Sequence, residues 1–433
     1  MSFHLIIIYF LTLILIPILL RLSGSNILRA NFISPFIISY LIFSYVGYPL
    51  IFYKNSRYSV EHYLVDSSYL EKSFLFSTIS ILIVVLSYSF FVILQKKKTN
   101  NFKIQELSKI NKYRSIFILF ISIFFLCYYV FSLDNLAIID LFIAQNSAEI
   151  GLIRSEGTNS LVNSWRFHFF PKYVLTAMSY VFIIDYFKNK SSSMRILMII
   201  SVLSTIFYCI MNVMKGPLLF YLWSLVFLYQ YLFNFKLRLK HIISFSLFSL
   251  LFITSLLFLI TNSNLSSIFE GIVNRVFAGS LSSSYYYVKI FPESLSFLGG
   301  LSLPNPMGIL PFEHFELTKF MSLEMFGLNE LGAVGSAPAP YWAEMYANFG
   351  LIGILLGSIL IGMIFSIIHY YFKSNIKSNF NLALFVFLAF QFREISTSGF
   401  FELLFPFRII ILLLIFYIIK INFKIKKNET IAN

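Results

Sequence analysis

Charge is scarce in this chain, and negative charge is scarcer still. Only 12% of its 433 residues are charged while 58% are hydrophobic, and 19 Asp and Glu stand against 33 Lys and Arg. So little polar surface excludes a water-soluble enzyme carried on a single anchor. Cysteine is nearly missing. Cys127 and Cys209 both fall inside apolar runs, which excludes a disulfide framework and a CxxC metal site. No GxxxxGK[ST] or GxGxxG motif is present, so no soluble nucleotide donor is implied. His62, His168 and His314 have no ligand partner at metal spacing, and no metal or other cofactor is expected.

What the chain has instead is a succession of apolar runs of about 20 residues, each enough to cross a bilayer core. Eleven spans are expected, near 3–20, 32–53, 73–94, 115–133, 171–187, 196–214, 217–235, 242–262, 340–370, 379–392 and 403–419. The first lacks a basic leader and a small-residue cleavage site, so it reads as a retained span. The fold expected is an all-α, polytopic helical bundle forming a single membrane domain over residues 1–433.

The charges between the runs set its sidedness. Loops near 21–31, 95–114, 188–195, 236–241, 373–378 and 420–433 hold 21 of the 33 basic residues, and the opposite set holds 16 of the 19 acids. By the positive-inside bias the basic loops are cytoplasmic. The net charge of +14 is therefore topogenic charge facing anionic membrane lipid, and no nucleic-acid partner is expected.

Two outward stretches are too long to be simple turns: a first loop at 134–170, and a large loop at 263–339 between spans eight and nine. In the large loop Ile268, Ile272, Val276 and Leu281 recur near helical spacing, which predicts a helix along the membrane surface. A third, shorter stretch runs from Arg393 to Arg408.

Outward basic residues run against the positive-inside bias, so each requires a reason. Arg154, Arg166, Lys215, Arg275, Arg393 and Arg408 form such a set. Arg offers a planar fork for phosphate oxygens and Lys a point charge, which suits a diphosphate; local pairing, as of Arg393 with Glu394, is the competing account. Arg275 has a glycine four residues to either side, Gly271 and Gly279, clearing the helix surface beside its guanidinium.

Among the acids, Glu344 follows Pro340, which fits a first helical position and aims the helix N-terminus outward. Tyr341, Glu344 and Asn348 share one helical face by spacing. A carboxylate there can take a proton from an acceptor hydroxyl, or simply stabilise a first helical turn. The aromatic run Tyr285-Tyr286-Tyr287 suits sugar stacking or the interfacial aromatic belt.

In this order of features the chain resembles the bacterial oligosaccharide repeat-unit polymerases, the Wzy-type O-antigen and capsule polymerases. The likeness rests on the Arg154 to Gly157 element, the Lys215-Gly216-Pro217 hairpin, the large loop with Arg275, and the block from Ala343-Glu344-Met345-Tyr346 to Gly350. The spaced Arg–Gly repeat of some members is absent.

The resemblance implies a metal-independent glycosyltransferase of GT-C-like architecture in the bacterial inner membrane, with its active site facing the periplasm. Its substrates would be undecaprenyl-diphosphate-linked oligosaccharides, and a flippase and a chain-length-regulating co-polymerase would be its partners. Glu344 and Arg275 would be catalytic. Arg154, Arg166, Lys215, Arg393, Arg408, Tyr341 and Asn348 would bind diphosphate and sugar. The rival readings are an O-antigen ligase and a lipid-linked-sugar flippase or transporter; near-empty mid-span charge weighs against the latter.

Overall fold

The computed structural model describes residues 1–53, 66–96, 112–131, 168–211, 215–235, 265–305, 308–327, 336–375, 379–401 and 407–420, with isolated positions between 244 and 255. Among them all regular structure is helical. Among the described residues seven helices are long and apolar enough to cross a membrane: Phe3–Leu22, Ser34–Phe52, Ser67–Gln95, Lys112–Phe131, Ser192–Met211, Gly216–Phe233 and Tyr341–Lys373. The described residues are thus all-helical in their regular structure, with the spans of a multi-pass membrane protein.

The expected eleven spans are not all present at that length. The segments near 171–187, 379–392 and 403–419 give shorter helices, Thr176–Asn189, Asn379–Arg393 and Phe407–Lys420. A helix of 14 or 15 residues reaches only about 21–23 Å, less than the ~30 Å apolar core. A π-helical turn, Phe170–Leu175, extends the first of these backwards. The expected span at 242–262 lies almost wholly outside the described residues.

The elements that build the site are α1 (Ser34–Ser44), α2 (Ser67–Lys96), α3 (Lys215–Phe233), α4 (Leu265–Phe277), α5 (Gly279–Ile290), α6 (Tyr341–Asn375) and α7 (Asn379–Arg393). Helices α2 and α6 form the spine, packed against each other over much of their length. In lipid, apolar faces gain nothing by leaving their solvent, so close approach and polar contacts must hold helices together. Both are visible here. A side chain at Gly362 would lie 2.6 Å from the Val84 carbonyl and 2.7 Å from Ser87 Cβ. Ser87 donates to the Ile359 carbonyl at 2.9 Å.

A stripe of small hydroxyls at helical spacing on α2 faces the tyrosines of α1 and the turn after it. Tyr40 meets Ser77 at 2.9 Å and Ser80 at 2.7 Å, and Tyr48 meets Ser73 at 2.9 Å. Helix α7 lies inside the bundle, with twelve of its fifteen side chains buried. Its first residue is tied by Asn379 Nδ2 to Asp185 Oδ1 at 3.0 Å, and by its Oδ1 to Lys188 Nζ at 2.6 Å.

The least regular element carries the most consequence. Helix α6 is broken at Gly350, whose φ of 61° and ψ of −148° are not helical. Tyr341 Oη and Ser358 Oγ lie 2.9 Å apart although 17 residues separate them. On a straight helix they would stand about 25 Å apart. The arm 341–349 therefore folds back along 351–375. Glycines at the contact allow it: a side chain at Gly353 would strike the Met345 carbonyl, and one at Gly357 would lie 2.8 Å from Met345 Cγ.

This overturns the expected orientation of the helix start. Tyr341 lies level with a residue eight positions into the outgoing arm, so the helix N-terminus points about 12 Å down into the bundle.

Candidate functional site

Residues 265–327 cover one end of the bundle. They include two helices in tandem, α4 and α5, and a third, Leu317–Phe326. Helix α4 packs its end on the turn after α1, where the Phe277 carbonyl occupies the space a side chain at Gly47 would need. The helix predicted from the spacing of Ile268, Ile272 and Val276 is present but stops at Phe277. Leu281 belongs to α5, which is buried on nearly every face. Tyr285, Tyr286 and Tyr287 are buried there, so sugar stacking and the interfacial belt are both set aside for them.

The loop leaving α5 caps the folded-back arm. Helix C-termini leave carbonyls without intrahelical partners. Here the Leu298 and Gly299 amides donate to the Ala347 and Asn348 carbonyls, each at 3.0 Å. Gly300 N donates to Asn348 Oδ1 at 3.0 Å. Asn348 Nδ2 in turn donates to Ser302 Oγ and to the Glu344 carbonyl, both at 2.8 Å.

Ser302 Oγ donates to Glu344 Oε1 at 3.0 Å, and the Phe401 amide donates to Oε2 at 3.1 Å. The carboxylate is therefore held from two sides, by the large loop and by the segment following α7. Gly399 presses so close that an added Cβ would lie 2.9 Å from the Glu344 Cδ. Tyr287, 1% exposed, approaches from α5; burial, then the Glu344 charge, push its phenol well above the ordinary tyrosine range. It stays a neutral O–H.

The second charged group stands at the other end of the same short segment. Arg393 closes α7 and is 4% exposed. Its guanidinium carbon lies 3.3 Å from the centre of the Phe220 ring on α3. Glu394 is a loose partner at 3.7 Å, and Nε and Nη1 find no hydrogen-bond acceptor among the described residues. Burial lowers the group to about 10 while Glu394 opposes the shift, so it remains a cation at neutral pH.

A buried donor left without an acceptor costs about 1–3 kcal/mol, and more for a charged one. An anionic ligand would remove that cost. The segment between the two charges is pinned to α1: Ser44 donates to the Ser396 carbonyl at 2.6 Å, and Ser396 donates to Ser39 at 2.9 Å.

The other expected site residues fall in three groups. Tyr341 is fully buried against Phe36, Tyr40 and Ser358. Asn348 shares the Glu344 cluster, but its amide is filled by protein contacts. Arg275 is exposed on α4, with no ion pair to a described residue. Lys215 opens α3, and Arg408 lies in the helix Phe407–Lys420, but their side chains fall outside the described residues, as do Arg154 and Arg166 entirely. Among the described residues no cluster of His, Cys, Asp and Glu could hold a metal ion.

Ser302, Gly399, Phe401 and Phe220 are absent from the sequence-based set, and Tyr287 entered it only as part of an aromatic run. Of the four, only Gly399 and Phe401 carried a signal, their closeness to Arg393.

The fold and this site define a class: a multi-pass helical membrane protein with a half-buried carboxylate and a buried guanidinium at the two ends of a short interhelical segment. Residues 332–426 match the family model of the O-antigen polysaccharide polymerase Wzy, a stretch containing Glu344, Arg393, Gly399 and Phe401. The chain is similar to that family over this stretch. No curated protein and no solved structure matches the chain.

Proposed function

We propose that the chain polymerises undecaprenyl-diphosphate-linked oligosaccharide repeat units at the outer leaflet of the bacterial inner membrane, moving the growing glycan onto a new lipid-linked unit. The observation that carries this reading is Arg393: a buried cation whose Nε and Nη1 have no acceptor among the described residues, within the matched stretch, and of the donor type that suits a diphosphate. In the reaction an acceptor hydroxyl oxygen attacks the anomeric carbon of the donor glycan. The bond from that carbon to the diphosphate oxygen breaks, and the lipid diphosphate leaves with the bonding pair.

Glu344 takes the acceptor proton as general base. Arg393 meets the charge that builds on the diphosphate, where fixed donors contribute most. Arg154, Arg166, Lys215, Arg275 and Arg408 add further positive charge from the same outward side. Asn348 and Tyr341 shape the arm that carries Glu344. The placement at the outer leaflet rests on the charge asymmetry of the loops.

The experiment is the surface polysaccharide of a strain lacking this chain, run on a gel with and without complementation. A ladder reduced to single-repeat caps and restored by the wild-type chain is the expected result. Loss of every repeat, with long lipid-linked polymer accumulating, identifies a ligase instead, and an unchanged ladder overturns the reading.

A further inference from the structure

Ser302 lies 42 residues before Glu344, in the large loop, yet it donates directly to the carboxylate. The direction of that bond is fixed by its neighbours. Gly300 N–H can only donate, so it fixes the acceptor end of the Asn348 amide as Oδ1. The other end is then Nδ2, and its two hydrogens are both used, one on the Glu344 carbonyl and one on Ser302 Oγ. With a lone pair occupied by Asn348, Ser302 turns its own proton to Oε1. Ser302 and Asn348 are 4% and 1% exposed, so water does not compete freely for these positions.

We infer that Ser302 is a positioning residue for Glu344: the directed chain from Gly300 through Asn348 and Ser302 orients the carboxylate toward the acceptor hydroxyl. This rests on the polymerase reading above. It adds that the large loop supplies part of the site, so the site is incomplete until residues 298–302 have docked on the folded-back arm. Ser302 touches no reacting atom; it acts through Glu344.

The test uses the full-length chain in detergent micelles. Its substrate is the lipid-linked single repeat unit extracted from a strain lacking the chain, with extension followed on a gel. Ser302→Ala removes the hydroxyl; Ser302→Cys keeps the shape with a weak donor; Ser302→Thr keeps the hydroxyl. One hydrogen bond to a charged group converts to about a ten-fold loss or more, expected in kcat for Ala and Cys with KM within about two-fold.

Thr is expected to recover most of the wild-type rate, which a merely structural role would not produce. If Ala fails to fold, the Cys variant carries the comparison, with melting temperature recorded for each. A KM rise with kcat unchanged overturns the inference, and so does full activity in the Cys variant. A well-folded Thr variant as slow as Ala also overturns it. A wild-type chain that leaves the extracted unit unextended overturns the polymerase reading and this inference with it.

Discussion

Tyr341 and Ser358 share a hydrogen bond of 2.9 Å across 17 residues of one helical element, because that element reverses at Gly350. The reversal sets Glu344 beside the segment after α7 and beneath the large loop. It depends on a backbone conformation, φ 61° and ψ −148°, that is almost confined to glycine. The Phe297 ring closes the space above it, 3.1 Å from where a Cβ would stand. Gly350→Ala is therefore expected to cost about 1–3 kcal/mol. The check is the melting temperature of the purified protein, with Gly327→Ala, a positive-φ glycine with open space around it, as the comparison that separates strain from crowding.

Glu344→Gln keeps the size of the side chain and its two acceptor contacts in part, but it cannot take a proton. A general base contributes about 10²–10⁴-fold, so polymer formation should fall by that order while expression and melting stay near wild type. Complementation of a deletion strain reads it directly. Retention of the ladder by the Gln variant would assign Glu344 to helix stabilisation alone.

For Arg393 the shape of the donor fork is the point. A lysine supplies the charge without the planar donors and without the same stacking on Phe220. Arg393→Lys is expected to raise KM for the lipid-linked donor about ten-fold or more, and Arg393→Met to abolish extension while improving stability, since a buried charge with open donors is costly without its ligand. Melting temperature with and without added diphosphate distinguishes the two effects: the wild type should be stabilised and the Met variant should not.

Sequence alone reached the helical membrane architecture, because long apolar runs and asymmetric loop charge are local properties. It also reached Glu344 and Asn348 as neighbours, since helical spacing places them together. It did not reach the contact of Tyr341 with Ser358, because spacing along one helix does not show a reversal at Gly350. Ser302 was out of reach: nothing in a loop serine marks a partner 42 residues away. The Phe401 donor is a backbone amide, which every residue but proline owns, so no side chain announces it. The tyrosines at 285–287 show the same limit, since a loop helix buried on nearly all sides looks, in sequence, like an interfacial one.

His168 gives a pH signature separate from the reaction. It precedes the short span begun by the π-turn and is buried between Tyr129 and Tyr208, with Nδ1 3.3 Å from the Tyr208 hydroxyl. Burial, then the Lys172 charge, lower it from 6.5 to about 4. The unfolded chain thus binds the proton first as pH falls. Its contribution to stability is fully present above pH 6.5 and is lost as pH falls through about 4. Melting temperature should decline over that window, and His168→Phe should flatten that part of the curve.

The glycines offer the sharpest contrast between the two sites. Gly271 and Gly279 flank Arg275, and the sequence gives them a clearing role. In the structure a side chain at Gly271 meets nothing within 4 Å, and one at Gly279 would make an ordinary 3.7 Å contact with Arg275 Cδ. Gly271→Ala lies within α4 and should stabilise that helix by about 0.5–1 kcal/mol with the ladder unchanged.

Gly399 is the opposite case. Its missing side chain is the space the Glu344 carboxylate occupies, so Gly399→Ala must displace either the carboxylate or the Phe401 amide that holds it. A misplacement of about 1 Å costs on the order of 10²-fold in rate. The expected outcome is loss of polymer at near-normal protein level from Gly399→Ala and full activity from Gly271→Ala. The reverse pattern would move the reacting centre from Glu344 to the surface beside Arg275.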